Sequence, residues 1–139
     1  MKEQVSINWL GNMAFEADVD GHKIVIDAKP EAGGENKGAR PKPFLLMALA
    51  GCTAMDVVSI LKKMRVEFSD FQVTVEGDLT AEHPKFYQTM KVIYELKGKD
   101  LSYDKIEKAV KLSEERYCGV SALFKKAIPV TFEIKIVEA

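Results

Sequence analysis

Cys52 and Cys118 are the only two cysteines of the chain, and they carry most of the chemistry this sequence could do. A thiolate is a nucleophile and a reductant, whereas a thiol buried without a positive neighbour is inert and packs as a small hydrophobe. Cys52 lies in the uncharged run Pro43 to Met55, where packing is the plain reading. A functional reading needs a cation, and Arg40 and Lys42 stand just ahead of the run. Asp56 falls one helical turn after Cys52 on the same face. Its charge opposes a thiolate there unless an arginine neutralises it; a salt-bridged or solvated role is the alternative. Cys118 precedes a helix start at Gly119 to Ser121, where free backbone N–H groups favour a thiolate, and Arg116 adds positive charge. It reads equally well as a turn cysteine packed under the fold. Local context leaves both thiols open.

The other chemical sets are thin. His22 and His83 with the two cysteines match no usual zinc spacing, so no metal is expected. Gly33-Gly34 lacks the strand-to-helix context of a phosphate loop. Ser121 has no visible His and Asp partners, which leaves a hydrolase without its residues. The pairs Lys62-Lys63 and Lys125-Lys126 read as solvated helix faces.

The elements that must position the thiols follow from periodicity. Val5, Ile7 and Trp9 alternate with polar neighbours, as do Met13 to Val19, and Asp20-Gly21 is a tight-turn pair leading into a third strand, Lys23 to Ala28. Pro30 to Pro43 breaks the pattern with three glycines and three prolines, and reads as a long surface loop of the kind that is often functional. Phe44 to Arg65 is a helix, apolar on every side in its first half. Such a helix is a buried one, and a chain of 139 residues has little mass to wrap it, so a second subunit is expected around it. Phe71 to Leu79 and Phe86 to Leu96 are strands. Ser102 caps a helix through Ile106, Ala109, Val110 and Leu112. Tyr117-Cys118-Gly119 interrupts it before a short helix, Ser121 to Lys126, and Val130 to Ile136 alternate as a closing strand. The order is βββ-α-ββ-α(α)-β, an α+β fold with mainly antiparallel strands in a single domain over residues 1–139.

Hydrophobic residues make up 47% of the sequence and charged residues 29%, which excludes a disordered chain. A net charge of -1 leaves no basic excess for nucleic acid or an anionic membrane surface. The opening MKEQVSINW has no apolar core of a signal peptide, and Pro43 to Met55 is too short for a spanning helix. A cytoplasmic protein is expected, and a permanent disulfide is not presumed there.

The segments around both cysteines say more together than apart. PKPFLLMALAGCTAMDVVSILKKMR (Pro41 to Arg65) with LSEERYCGVSALF (Leu112 to Phe124) resembles the OsmC/Ohr family of thiol-dependent peroxidases, in particular its YhfA-like branch. WLGNMAF, the GG-containing loop, HPKFYQ and the closing strand extend the resemblance through most of the chain.

The resemblance implies an intertwined homodimer in which strands of both chains wrap two long central helices. It also implies a reaction, the reduction of organic hydroperoxides. The peroxidatic thiolate would be Cys52, which becomes a sulfenic acid; Cys118 would resolve it to a disulfide that an external dithiol reduces. No cofactor or metal is implied, because sulfur carries the two electrons. Characterised members place a glutamate before the central helix and hold an arginine against the cysteine. Here Pro41-Lys42-Pro43-Phe44 stands in the glutamate's segment and Gly11-Asn12-Met13 in the turn that supplies the arginine, which makes Arg40 the nearest substitute. That departure keeps one alternative open, a non-catalytic relative binding a small hydrophobic ligand at the dimer interface; a thiol redox sensor using the same two cysteines is a further alternative.

Overall fold

The computed structural model describes residues 1–139 and gives the expected element order, an α+β fold with two three-stranded sheets and three α-helices. It divides into two compact units, Met1–Leu45 and Leu46–Ala139.

The first unit is an antiparallel sheet of β1 (Ser6–Gly11), β2 (Ala14–Val19) and β3 (His22–Ile26), in that order. Asp20-Gly21 turns β2 into β3 with positive φ at both residues, as that dipeptide allows. The segment after β3 is more ordered than a surface loop without periodicity. A short 3₁₀ turn covers Pro30–Ala32, and the buried Asp27 carboxylate accepts from the backbone N–H groups of Ala28, Glu35 and Lys37. Those donors, that of Lys37 foremost, hold the Asp27 carboxyl below the usual range. Gly38 packs its backbone on β3, where a Cβ would lie 2.1 Å from the Val25 carbonyl oxygen, so no larger residue fits.

The second unit builds the core. The sheet order is β4 (Asp70–Leu79), β5 (Tyr87–Gly98), β6 (Val130–Glu138). β4 pairs antiparallel to β5, while β6 pairs parallel to it. The parallel pairing requires a crossover, and α2 (Tyr103–Leu112) and α3 (Gly119–Lys125) supply it. Ser102 caps α2 as expected, its side chain accepting from the Lys105 N–H. Central β5 contributes Met90, Val92, Tyr94 and Leu96 to the core, at the two-residue spacing of one strand face. Ile106, Ala109 and Val110 of α2 pack there too.

α1 (Phe44–Lys63) presents Leu49, Thr53, Val57 and Leu61 to this core, four residues apart along one face. Met47, Met55 and Val58 on its other sides are exposed, so within one chain the helix is buried on a single face. The uncharged run Pro43 to Met55 covers only the first part of this helix. The helix runs 20 residues and, by length and composition alone, is long and apolar enough to cross a bilayer.

Candidate functional site

Cys52 sits mid-way along α1, half-buried, and Asp56 follows one turn later on the same side. Cys118 comes from the far end of the crossover. Between α2 and α3 the chain makes one π turn, Ser113–Tyr117, closed by the Cys118 N–H donating to the Ser113 carbonyl at 2.8 Å. The wider turn rotates Ser113 and Glu114 inward and leaves Cys118 as the N-cap of α3, and such turns recur at functional sites. Sulfur and carboxylate then meet: the Cys52 Sγ, the Cys118 Sγ and an Asp56 oxygen all lie within 4.8 Å of one another.

The two thiols differ in environment. Cys118 is buried at 3% exposure. Burial first, and then the neighbouring Cys52 thiol, push its thiol up to about 12. The Ser121 N–H donates to its sulfur at 3.3 Å and opposes the shift without cancelling it. The expectation that a helix start favours a thiolate at Cys118 is therefore corrected. The N-cap geometry is present, but desolvation of the charged form outweighs it. Arg116, the cation expected to assist, is exposed and makes no ion pair. Cys118 is a protonated partner that reaches Cys52.

Asp56 is not salt-bridged. None of the ion pairs of the chain includes it. Its partner is the Ser113 hydroxyl, which donates to Oδ2 at 2.9 Å. Asp56 also lines a cleft of about 410 Å³ with Ser59, Ile60, Lys63, Leu112 and Tyr117, mixing apolar walls with a lysine and a phenol.

Behind Cys118 lies a network that sequence reasoning missed. The buried Glu114 carboxylate accepts from the Tyr94 hydroxyl at 2.7 Å and the Ser121 hydroxyl at 3.0 Å. Lys125 pairs with it at 3.5 Å and donates to the Glu114 carbonyl at 2.9 Å. Burial raises the Tyr94 phenol far above its ordinary value and keeps it a donor. Ser121 links this network to the site, because its backbone N–H is the donor on Cys118. The available signal was an acidic residue four positions before Cys118 and a tyrosine among the apolar residues of β5.

Arg40 is half-buried within the first unit. Its guanidinium donates to the Gly38 carbonyl at 2.7 Å, the Asn36 side chain at 2.6 Å and the Asp27 carbonyl at 3.5 Å. Of the residues considered as metal donors, neither histidine joins the cysteines. The one group close enough to share an ion is Cys52, Asp56 and Cys118. That is three donors where a structural zinc site uses four, and it is equally the arrangement of a thiol pair with a carboxylate beside it.

Comparison with known proteins agrees with the motif reading. The family model for "OsmC-like protein" matches residues 34–133. Protein YhfA of Escherichia coli K12 is 31% identical over 137 residues, covering 98% of this chain and 99% of that protein. A solved structure of a hypothetical protein from Aquifex aeolicus VF5 is 30% identical, covers 98% of both chains and superposes with a TM-score of 0.81. The organic hydroperoxide resistance protein OhrB of Bacillus subtilis is 19% identical with a TM-score of 0.67, covering 97% of this chain and 98% of its own, a likeness of fold alone.

Proposed function

Since this chain belongs to the OsmC-like family, we propose that it is a thiol-dependent peroxidase that reduces organic hydroperoxides in the cytoplasm, as part of a response to oxidative stress. The observation that carries the reading is the pair itself: two sulfurs from distant parts of the chain, within 4.8 Å of each other and of an Asp56 oxygen. A half-buried sulfur close to Asp56, which lines a cleft, suits attack on a peroxide, and a buried thiol within 4.8 Å of it suits resolution.

The steps follow from sulfur chemistry. The Cys52 thiolate attacks one oxygen of the O–O bond, the bond breaks, and the alkoxide leaves as an alcohol after taking a proton. Cys52 is then a sulfenic acid. Cys118 attacks that sulfur, the S–S bond forms, the S–O bond breaks and water leaves. An external dithiol restores both thiols by exchange. Arg40 is the candidate for steadying the thiolate, in the role that the family gives an arginine. The cleft between Ile60, Leu112 and Tyr117 offers apolar surface to the organic part of the substrate.

This reading is tested by peptide mapping without reduction after one equivalent of cumene hydroperoxide. A Cys52–Cys118 linkage within one chain is expected, absent from Cys52→Ser and Cys118→Ser. Oxidised protein without that linkage would remove the resolving role of Cys118.

A homodimer belongs to the same proposal. Its support is the uncovered apolar side of α1, where Met47 is 56% exposed and Met55 76%, an arrangement a second copy would cover. Sedimentation equilibrium is expected to give twice the chain mass; a monomer at micromolar concentration would remove the dimer. A second reading, a binding protein for a small hydrophobic ligand at the dimer interface, is favoured by one observation. Lys42 and Pro43 stand where characterised members carry their glutamate.

A further inference from the structure

We propose that Asp56 is the proton acceptor for Cys118 when the disulfide forms. The inference rests on the peroxidase reading for its oxidant, an organic hydroperoxide, and concerns the second step alone. In that step a buried thiol must lose its proton while a hydroxide leaves the neighbouring sulfur. Cys118 is held in the thiol form by its surroundings, so the proton has to be taken by something within reach. Asp56 is the only carboxylate grouped with the two sulfurs.

Ser113 fixes the geometry. Its carbonyl accepts the Cys118 N–H at 2.8 Å, and its hydroxyl donates to Asp56 Oδ2 at 2.9 Å. One residue of the π turn therefore sets the carboxylate and the thiol relative to each other, and Oδ1 is left without a hydrogen-bond partner. No lysine or arginine pairs with Asp56, so no cation occupies its carboxylate oxygens. The neighbouring titratable groups are few. Cys52 and Cys118 face Asp56 directly, Lys63 and Tyr117 share its cleft, and Glu114 is committed to Tyr94, Ser121 and Lys125.

The step balances as follows. The Cys118 S–H proton passes to Asp56 as the S–S bond forms. The Cys52 S–O bond breaks, and the hydroxide takes that proton from Asp56 to leave as water. Asp56 ends as it began, and both electrons stay in the sulfur–sulfur bond.

Asp56→Asn keeps the size and can still accept from Ser113, but it cannot take a proton. Its sulfenic acid, trapped at Cys52 with dimedone after cumene hydroperoxide, is expected to form at least as fast as in the unsubstituted protein, because the substitution removes a negative charge beside Cys52. Disulfide closure should be slower by on the order of 10²-fold near neutral pH, the usual worth of a positioned base. Closure should also accelerate steeply with pH as hydroxide takes over, and Asp56→Glu should recover part of the loss. A second arm needs no peroxide. Ellman's reagent on Cys52 leaves a mixed disulfide, and attack by Cys118 releases a second thionitrobenzoate; this release should show the same slowing and pH dependence in Asp56→Asn. Equal closure rates and pH profiles with and without the substitution would overturn the role of Asp56. If the unsubstituted protein forms no sulfenic acid, the peroxidase reading fails, and the Ellman arm still decides whether Asp56 deprotonates Cys118.

Discussion

With cumene hydroperoxide as oxidant and dihydrolipoamide as the external dithiol, the protein is expected to turn over, and Cys52→Ser to fall to the uncatalysed background. The size of this effect follows from the chemistry. A serine hydroxyl is not oxidised by a peroxide, so no sulfenic acid forms and no later step can occur. Cys118 cannot take over, because burial holds it as a thiol and the thiolate is the attacking form. Cys118→Ser should behave differently. Cys52 is still oxidised, so one equivalent of peroxide disappears quickly. Later turnovers then depend on direct attack by the external dithiol on the sulfenic acid, and without a resolving thiol a fraction of Cys52 passes on to sulfinic acid. The two substitutions thus separate attack from resolution. Absence of turnover in the unsubstituted protein would point instead to the consequence of Lys42-Pro43 at the glutamate's segment. A search for an apolar ligand would then be the next step.

What the sequence revealed, and what it did not, divides along physical lines. Alternation of period two is local, so all six strands could be read from it, and so could the Asp20-Gly21 turn and the Ser102 cap. Alternation says which face a residue takes but not which strand it pairs with, and β6 lying parallel to β5 was not legible. The π turn was invisible for a related reason. The helical spacing of Ile106, Ala109 and Val110 continues smoothly into Leu112, and a single hydrogen bond from Cys118 to Ser113 decides the change. Glu114 sits in a polar run that looks solvated. Its burial depends on Tyr94 of β5 and Ser121 and Lys125 of α3 converging on it, 20, 7 and 11 residues away. The segment from Pro30 to Pro43 gave no periodic signal because one carboxylate, Asp27, organises it instead of a repeating pattern. At Cys118 two effects oppose each other, a helix start and burial, and only the three-dimensional packing sets their balance.

That balance makes the stability of the protein fall in alkaline solution through a single thiol. In the unfolded chain Cys118 loses its proton near the ordinary thiol value of 9.0, whereas in the folded chain it does so only at about 12. Between these values the folded state binds more protons than the unfolded state, and stability declines as pH rises. The contribution is fully present below pH 9.0 and is lost progressively toward about 12. The slope from one such group is at most about 1.4 kcal/mol per pH unit. Tyr94 carries a shift of the same sign, but its ordinary value is 10.0, so it enters later in the titration. Cys118→Ser removes the thiol and leaves the phenol. Urea midpoints measured from pH 7 to 10, with a phosphine reductant and at fixed protein concentration, should therefore fall faster above pH 9.0 in the parent protein than in Cys118→Ser. Parallel curves for the two proteins would mean that Cys118 titrates alike in the folded and unfolded chain. Burial would then not be what raises the resolving sulfur, although a thiol at its ordinary value is still protonated at neutral pH and must still give up its proton as it attacks Cys52.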